Sequence, residues 1–332
     1  MEDSQWDESL KRVADALAAA EVVVLSTHEN SDGDSVGSLL GLSMALRGRG
    51  TSVFPILPNG EAIPPHYRFL PGGRMLVRKD ELPGGSRVFV ALDCGNPDRL
   101  SDLREYAAGS DLLVNIDHHE DNTFFGGINL VEPLASCTSE IVFRVLRAGG
   151  FPVGEKEALC FYAGILTDTG RFRNVNTTPG ALRTAAELLE LGVNPEEVVS
   201  RIYEESSLSL LWLKGRVLER ARMADGYPFV YSYITREDLE QTGADISETE
   251  DIIDCLRTAE GARAALLLKE TADGRIRGSL RSKDRVSVGK VARALGGGGH
   301  ERAAGFISDG SMQEILEEVR RLLAGMETGD AG

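Results

Sequence analysis

Cysteine is scarce in this 332-residue chain: Cys94, Cys137, Cys160 and Cys255 are scattered, with no C-x-x-C pair. That excludes a disulfide framework and a thiolate-built structural zinc site, and leaves the four as small, reduced, buried side chains. Histidine is nearly as sparse, at five residues, and tryptophan is limited to Trp6 and Trp212, both in helical patterns where packing explains them better than base stacking. No apolar run approaches the ~20 residues of a membrane span. The N-terminus, Met1-Glu2-Asp3-Ser4, lacks the basic region and apolar core of an export signal, so a cytoplasmic location is expected. Positive charge is short overall. A net charge of −16 opposes binding along duplex DNA, which rests on neutralising many phosphates.

With 42% hydrophobic and 27% charged residues the composition is that of a globular protein, and the length favours two domains. Charge is unevenly placed. Arg257 to Arg302 carries eleven Lys/Arg against five Asp/Glu, giving +6 where the remainder is −22. Such a basic face suits a small anionic ligand.

The first half alternates apolar runs with helical patterns, the mark of βα units on a largely parallel sheet. Val22 to Leu25, Val88 to Leu92 and Leu112 to Ile116 read as strands, and Ser35 to Arg47 and Thr138 to Ala148 as amphipathic helices. Thr178-Pro179 opens a helix that ends before Gly192, and Asn194-Pro195 opens another. Residues 194 to 224 read as helix throughout and as a connector. Beyond them Phe229 to Ile234 is a strand, and Ala264 to Lys269 and Arg275 to Arg281 flank the hairpin signal Asp273-Gly274. Val288 to Leu295 reads as helix, interrupted by Gly296-Gly297-Gly298-Gly299-His300. The expected class is α/β: residues 1–193 a doubly wound, mainly parallel domain, 194–225 a helical connector and 226–326 a smaller α/β domain.

Open α/β sheets carry their ligand sites at the carboxyl ends of strands. Here the first strand runs into His28-Glu29-Asn30-Ser31-Asp32-Gly33-Asp34, the second ends on Asp93 and the third on Asp117-His118-His119. A fourth acid, Asp168, follows an apolar stretch and precedes Gly170, and is read as a further strand exit. One such acid is ordinarily a cap or turn former. Four positions carrying two histidines between them point instead to a metal. Carboxylate and imidazole without thiolate suit manganese better than calcium or structural zinc. Six ligands exceed what one catalytic ion with open positions takes, so two ions sharing a carboxylate are expected, with Asp93 the bridge. Paired ions act on a water and on a phosphoryl oxygen, which implies hydrolysis of a phosphate ester.

These residues resemble the DHH phosphoesterase superfamily, named for the triplet found here as Asp117-His118-His119. Its first motif is similar to His28 to Asp34 with Gly37-Ser38, its second to Ala91-Leu92-Asp93, its third to Ile116 to His119 and its fourth to Gly164 to Phe172. The associated DHHA1 domain resembles Gly278-Ser279-Leu280-Arg281-Ser282 together with Gly296 to His300. Two departures are Ser31, where the family usually has proline, and Arg171, where a small residue is expected.

The resemblance implies that His28, Asp32 and Asp93 hold one ion and Asp34, Asp93, His118 and Asp168 the other. The ions are expected to be Mn2+, with Mg2+ or Co2+ as alternatives. His119 then faces the scissile phosphate as a catalytic residue beside Asp93, and Asp117 supports from behind. Arg281, Ser282, Gly297, Gly298 and His300 are the implied substrate contacts, remote from the metals. The compact arrangement resembles the branch that degrades very short single-stranded RNA and dephosphorylates 3′-phosphoadenosine 5′-phosphate (pAp). A cyclic di-AMP or pApA phosphodiesterase is the alternative enzyme, and a nucleotide-binding regulator without hydrolysis the alternative of another class. Long duplex DNA and membranes are not expected partners; a homodimer is.

Overall fold

A computed structural model describes residues 3–85, 87–249, 251–283, 286–299 and 301–327. The chain divides between Glu205 and Ser206 into two compact units.

The first unit is built on a five-stranded parallel sheet: β1 Val22–Ser26, β2 Ser52–Pro55, β3 Val88–Leu92, β4 Leu112–Asp117 and β5 Ile128–Val131, in the order β2-β1-β3-β4-β5. Its helices are α1 Asp3–Ala19, α2 Gly33–Gly48, α3 Arg104–Ala108, α4 Thr138–Ala148, α5 Glu155–Asp168, α6 Pro179–Glu190 and α7 Pro195–Val199. Alternate strand residues feed two cores. Val23, Leu25, Val90, Leu92, Val114 and Ile116 pack with Val13 and Leu17 of α1 and with buried residues of α2, α4 and α5. Val24, Phe89 and Ala91 face the other way, against Leu100, Leu103 and Ala107. Apolar residues on both faces of each central strand are what a parallel sheet covered on both sides demands. The strand order reverses between β1 and β3, so their carboxyl ends open the crevice where such sheets bind ligands.

Helix α2 is buried along most of its length, from Gly33 to Leu46. It runs against α5 at glycine positions. A Cβ on Gly37 would lie 2.4 Å from the Cys160 carbonyl oxygen, so only glycine permits this approach.

The second unit has a mixed sheet: β6 Arg222–Met223, β7 Phe229–Ile234, β8 Ala264–Glu270, β9 Ile276–Ser282, β10 Gly298–Gly299 and β11 Ala303–Ser308, in the order β10-β11-β9-β8-β7-β6. Only β7 and β8 pair in parallel among these described strands. Its helices are α8 Leu208–Glu219, α9 Arg236–Thr242, α10 Ile252–Arg257, α11 Val288–Ala294 and α12 Met312–Glu327. Along β8, Ala264, Leu266 and Leu268 enter one core with Val291, Phe306 and Val319, while Ala265 and Leu267 enter another with Leu213, Val217 and Ile253.

Four expectations need correction. Asp168 is the last residue of helix α5, not a strand exit; an apolar run of this kind does not distinguish a buried helix from a buried strand. Residues 194 to 224 are not one helix. α7 passes into a π turn at Ser200–Glu204, the chain breaks, and Ser207 caps α8 by accepting from Leu210 N–H, before β6 begins. Val198 and Ile202 pack in the first unit and Leu210, Leu213 and Val217 in the second. The glycine run is not only an interruption: Gly298 and Gly299 form β10 against Gly305 and Ala304, where a Cβ on Gly297 would lie 2.1 Å from the Gly305 carbonyl oxygen. Finally, Trp6 is partly buried against the first core as packing predicts, but Trp212 is 57% exposed on α8.

Candidate metal centre

His28 follows β1, Asp93 follows β3, and Asp117 ends β4 with His118 and His119 behind it, so these side chains converge at adjacent strand ends. Asp93 adopts φ +54, and its N–H donates to the Ile116 carbonyl of the neighbouring strand at 3.0 Å. A left-handed aspartate costs free energy, and this backbone turn carries the carboxylate into the crevice.

Asp93 is almost fully buried and lies among three imidazoles. His28 Nε2 is 3.4 Å from its Oδ2, while His118 Nε2 and His119 Nδ1 are 3.5 and 3.7 Å from its Oδ1. His28 Nδ1 donates to the Glu29 carbonyl oxygen at 2.8 Å, which fixes the ring with Nε2 facing Asp93. Asp32 caps α2, its Oδ1 accepting from Asp34 and Ser35 N–H, and its Oδ2 stands 3.9 Å from His28 Nε2. Two donor clusters therefore share Asp93: His28 with Asp32, and His118 with His119.

Asp34 and Asp168 adjoin them through charge. Burial pushes the Asp34 carboxyl up to about 8, and the nearby Asp93 and Asp168 push in the same direction. Burial likewise raises Asp168 to about 7, against the pull of His118. Asp93 goes the other way: burial opposes its charge, but His28, His118 and His119 overcome that and hold it well below the usual carboxylate range. Crowded carboxylates that resist ionising are what a cation site looks like before the cations are counted. The donors are oxygen and nitrogen, so the set fits hard or borderline divalent ions.

The second layer is polar. Asp117 is fully buried; its Oδ1 accepts from His119 Nδ1 at 2.7 Å and its Oδ2 from Asn122 Nδ2 at 2.6 Å. That contact, with Asp93, raises His119 to about 9 although burial alone would lower it. Asn176 Nδ2 donates to Asp168 Oδ2 at 3.0 Å and to the Ser136 carbonyl at 2.9 Å. Thr138 and Ser139 N–H donate to the two oxygens of Asp34 at 2.7 and 2.8 Å. None of Asn122, Ser136, Thr138, Ser139 or Asn176 stood out in the sequence as a site residue. The one local signal was the hydroxyl run at the start of α4, which reads equally well as an ordinary cap.

Ser31 Oγ donates to the His28 carbonyl at 3.1 Å across the loop. Arg171 adopts φ +64 and lays its guanidinium over the Tyr203 ring, 4.6 Å from the centroid. His66 lies on a short turn away from both clusters. Cys94 is buried beside Asp93, and that burial pushes its thiol up to about 12, as expected of an inert side chain.

In the second unit Arg281 pairs with Ala303, while Gly298 pairs with Gly305, so Arg281 and Gly298 stand near the same end of the sheet with β11 between. Two inter-strand steps put about 9–10 Å between their strands. Arg281 Nη1 donates to the Leu280 carbonyl at 3.1 Å, and Ser282 N–H to the Arg302 carbonyl at 2.9 Å. His300 lies outside the described residues.

Residues 22–165 match the DHH family, N-terminal domain, and residues 226–325 the DHHA1 domain. The chain belongs to the DHH family. It is 34% identical over 330 residues to the bifunctional oligoribonuclease and PAP phosphatase NrnA of Thermus thermophilus, covering 97% of this chain and 96% of that protein. It is 31% identical to the protein of the same name from Bacillus subtilis, covering 94% and 96%. Among solved structures, an exopolyphosphatase-related protein from Bacteroides fragilis superposes with a TM-score of 0.88 over 97% of each chain at 24% identity. That likeness shows that the two-unit DHH fold is shared. No helix among the described residues is long and apolar enough to cross a membrane.

Proposed function

We propose that this DHH-family phosphoesterase hydrolyses very short oligoribonucleotides to mononucleotides, and pAp to AMP, with two divalent ions at the Asp93 centre. The observation that carries the reading is Asp93 itself, with one carboxylate oxygen 3.4 Å from His28 and the other 3.5 Å from His118. An acid so placed can serve two ions at once. The near full-length likeness to proteins named as oligoribonuclease and PAP phosphatase supports the substrate class.

In this reading His28, Asp32 and Asp93 hold one ion, and Asp34, Asp93, His118 and Asp168 the other. When bound, the ions supply Lewis acidity toward a water molecule and a phosphoryl oxygen. The rest falls to the chain. Asp117 orients His119 through Nδ1 and favours its protonated form, so His119 would give a proton to the leaving oxygen as the P–O ester bond breaks, while the attacking water forms the new P–O bond and its released proton restores the imidazolium. Arg281 and Ser282, with Gly297, Gly298 and His300, grip a substrate phosphate, the guanidinium by a bidentate fork, with the bare glycine backbone leaving room for the phosphate to approach. The same proposal takes Mn2+ as the working ion, the cytoplasm as the location and a homodimer as the assembly.

The deciding assay compares pAp, RNAs of two to about ten nucleotides and cyclic di-AMP in manganese buffer. Turnover of pAp and of the shortest RNAs, falling with length, is expected. Preference for cyclic di-AMP, or tight nucleotide binding without product, replaces this reading with one of its alternatives. Asp93→Asn, which tolerates the left-handed backbone, is expected to lose at least ~10³-fold in kcat while remaining folded.

A further inference from the structure

We propose that Thr138 is a positioning residue for the metal centre, setting the rotation of the Asp93 carboxylate and its spacing from Asp34. The inference rests on the two-ion reading above. Thr138 is the first residue of α4 and is fully buried. Its Oγ1 donates to Asp93 Oδ1 at 3.0 Å, and its own N–H donates to Asp34 Oδ2 at 2.7 Å. One residue thus joins an acid from the exit of β3 to an acid in the first turn of α2.

Both carboxylates lie at this helix end, and each is held there by a donor from it. The N-terminus of α4 supplies these donors: Thr138 N–H and Ser139 N–H on the two Asp34 oxygens, and the Thr138 hydroxyl on Asp93. The helix dipole favours negative charge at that end as well.

Rotation is the point specific to Asp93. A carboxylate that holds two ions through both of its oxygens would offer one to each. Asp93 Oδ2 faces His28 at 3.4 Å, whereas Oδ1 faces His118 at 3.5 Å and receives the Thr138 hydroxyl. A threonine side chain has few rotamers, so its hydroxyl is a stiff reference for that oxygen. Without the hydroxyl the acid keeps the imidazoles but loses this fixed donor. An ion held on the His118 side would then meet an oxygen whose direction is no longer set.

The test is Mn2+ titration of the full chain, wild type and Thr138→Val, by calorimetry and by electron paramagnetic resonance, which distinguishes an exchange-coupled pair from isolated ions. Thr138→Val keeps the shape and removes the donor. Its second ion is expected to bind about 10- to 100-fold more weakly, the usual cost of losing an outer-shell partner, and its coupled signal to fade. Thr138→Ser, which restores the hydroxyl, is expected to return both within a few-fold. If the valine variant does not give a native circular dichroism spectrum after metal removal, Thr138→Ala takes its place with the same expectation. A wild type that binds fewer than two ions overturns the two-ion reading itself. A wild type that binds two, with a hydroxyl-free variant that binds two equally well and stays coupled, overturns the role of Thr138 alone.

Discussion

Asp117 Oδ1 stands 2.7 Å from Nδ1 of His119, two residues on along the same strand exit. With Oδ2 taken by Asn122, the carboxylate cannot swing, and neither can the imidazole it holds. Asp117→Asn should therefore lower kcat by about 10- to 100-fold while leaving Mn2+ affinity close to wild type. His119 sits at about 9 because Asp117 and Asp93 outweigh burial. Removing the Asp117 charge lets it fall, so the acid form is lost earlier as pH rises and the alkaline limb of the rate profile moves to lower pH. A profile that does not move assigns Asp117 to structure alone.

Metal-stripped protein should become less stable as pH rises from 6 to 9. Asp34 and Asp168 are raised to about 8 and 7, so between about pH 4 and those values the folded state holds protons that the unfolded chain has released. His119, raised to about 9, does the same above about 6.5. Each contributes a negative slope of at most ~1.4 kcal/mol per pH unit. Asp93 is shifted the other way, so its contribution is fully present above about pH 4 and does not change across this window. Saturating Mn2+ displaces the protons, and the rise in Tm that it produces should grow with pH. Thermal melts in EDTA and in manganese at several pH values check this; a Tm in EDTA that climbs with pH contradicts it.

Gly164 touches no ion in the proposed site, yet it shapes one. A Cβ there would lie 2.1 Å from Ser139 Oγ and 2.9 Å from Asp34 Oδ1. Gly164→Ala should cost about 1–3 kcal/mol by overpacking and weaken Mn2+ binding several-fold. Gly215→Ala on α8, where an added Cβ would meet nothing within 4 Å, is the matched control and should be neutral or slightly stabilising. Urea unfolding paired with metal titration separates the two effects.

The second unit has its own buried ion pair. Asp238, 2% exposed at the side chain, accepts from Arg220 Nη2 at 2.7 Å and Arg216 Nη1 at 3.4 Å, and its Oδ2 accepts from Thr235 N–H and Oγ1 at 2.9 Å. Although burial opposes its charge, these partners hold its pKa below the usual range, so its stabilisation is present above about pH 4 and lost as pH falls below that. Asp238→Asn should cost about 2–4 kcal/mol at neutral pH with Mn2+ affinity unchanged, read by urea unfolding. An equal loss of metal binding would contradict its assignment to structure.

Central strands were readable because each is a short apolar run of β-branched and large residues ending in acids or histidines. Val22, Val88 and Leu112 begin β1, β3 and β4 where the pattern places them. Edge strands were not: β2 Ser52–Pro55 and β5 Ile128–Val131 are four residues long, partly exposed, and carry too little pattern. Helix starts followed from local capping chemistry at Thr178 and Asn194, whereas the cap by Asp32 was hidden behind its reading as a metal ligand. The break at Glu205–Ser207 was hidden because its flanks are both helical, and only packing assigns each flank to its own core.

By itself, then, the sequence determined the parallel α/β plan, the motif residues and their family, since period, caps and short motifs are local properties of the chain. Tertiary structure decided how the acids are held. Thr138 meets Asp93 across 45 positions and Asp34 across 104, and Asn176 meets Asp168 from beyond a left-handed loop. Those contacts exist because parallel crossovers return distant segments to one sheet end, and no local pattern records which hydroxyl or amide will arrive beside which carboxylate.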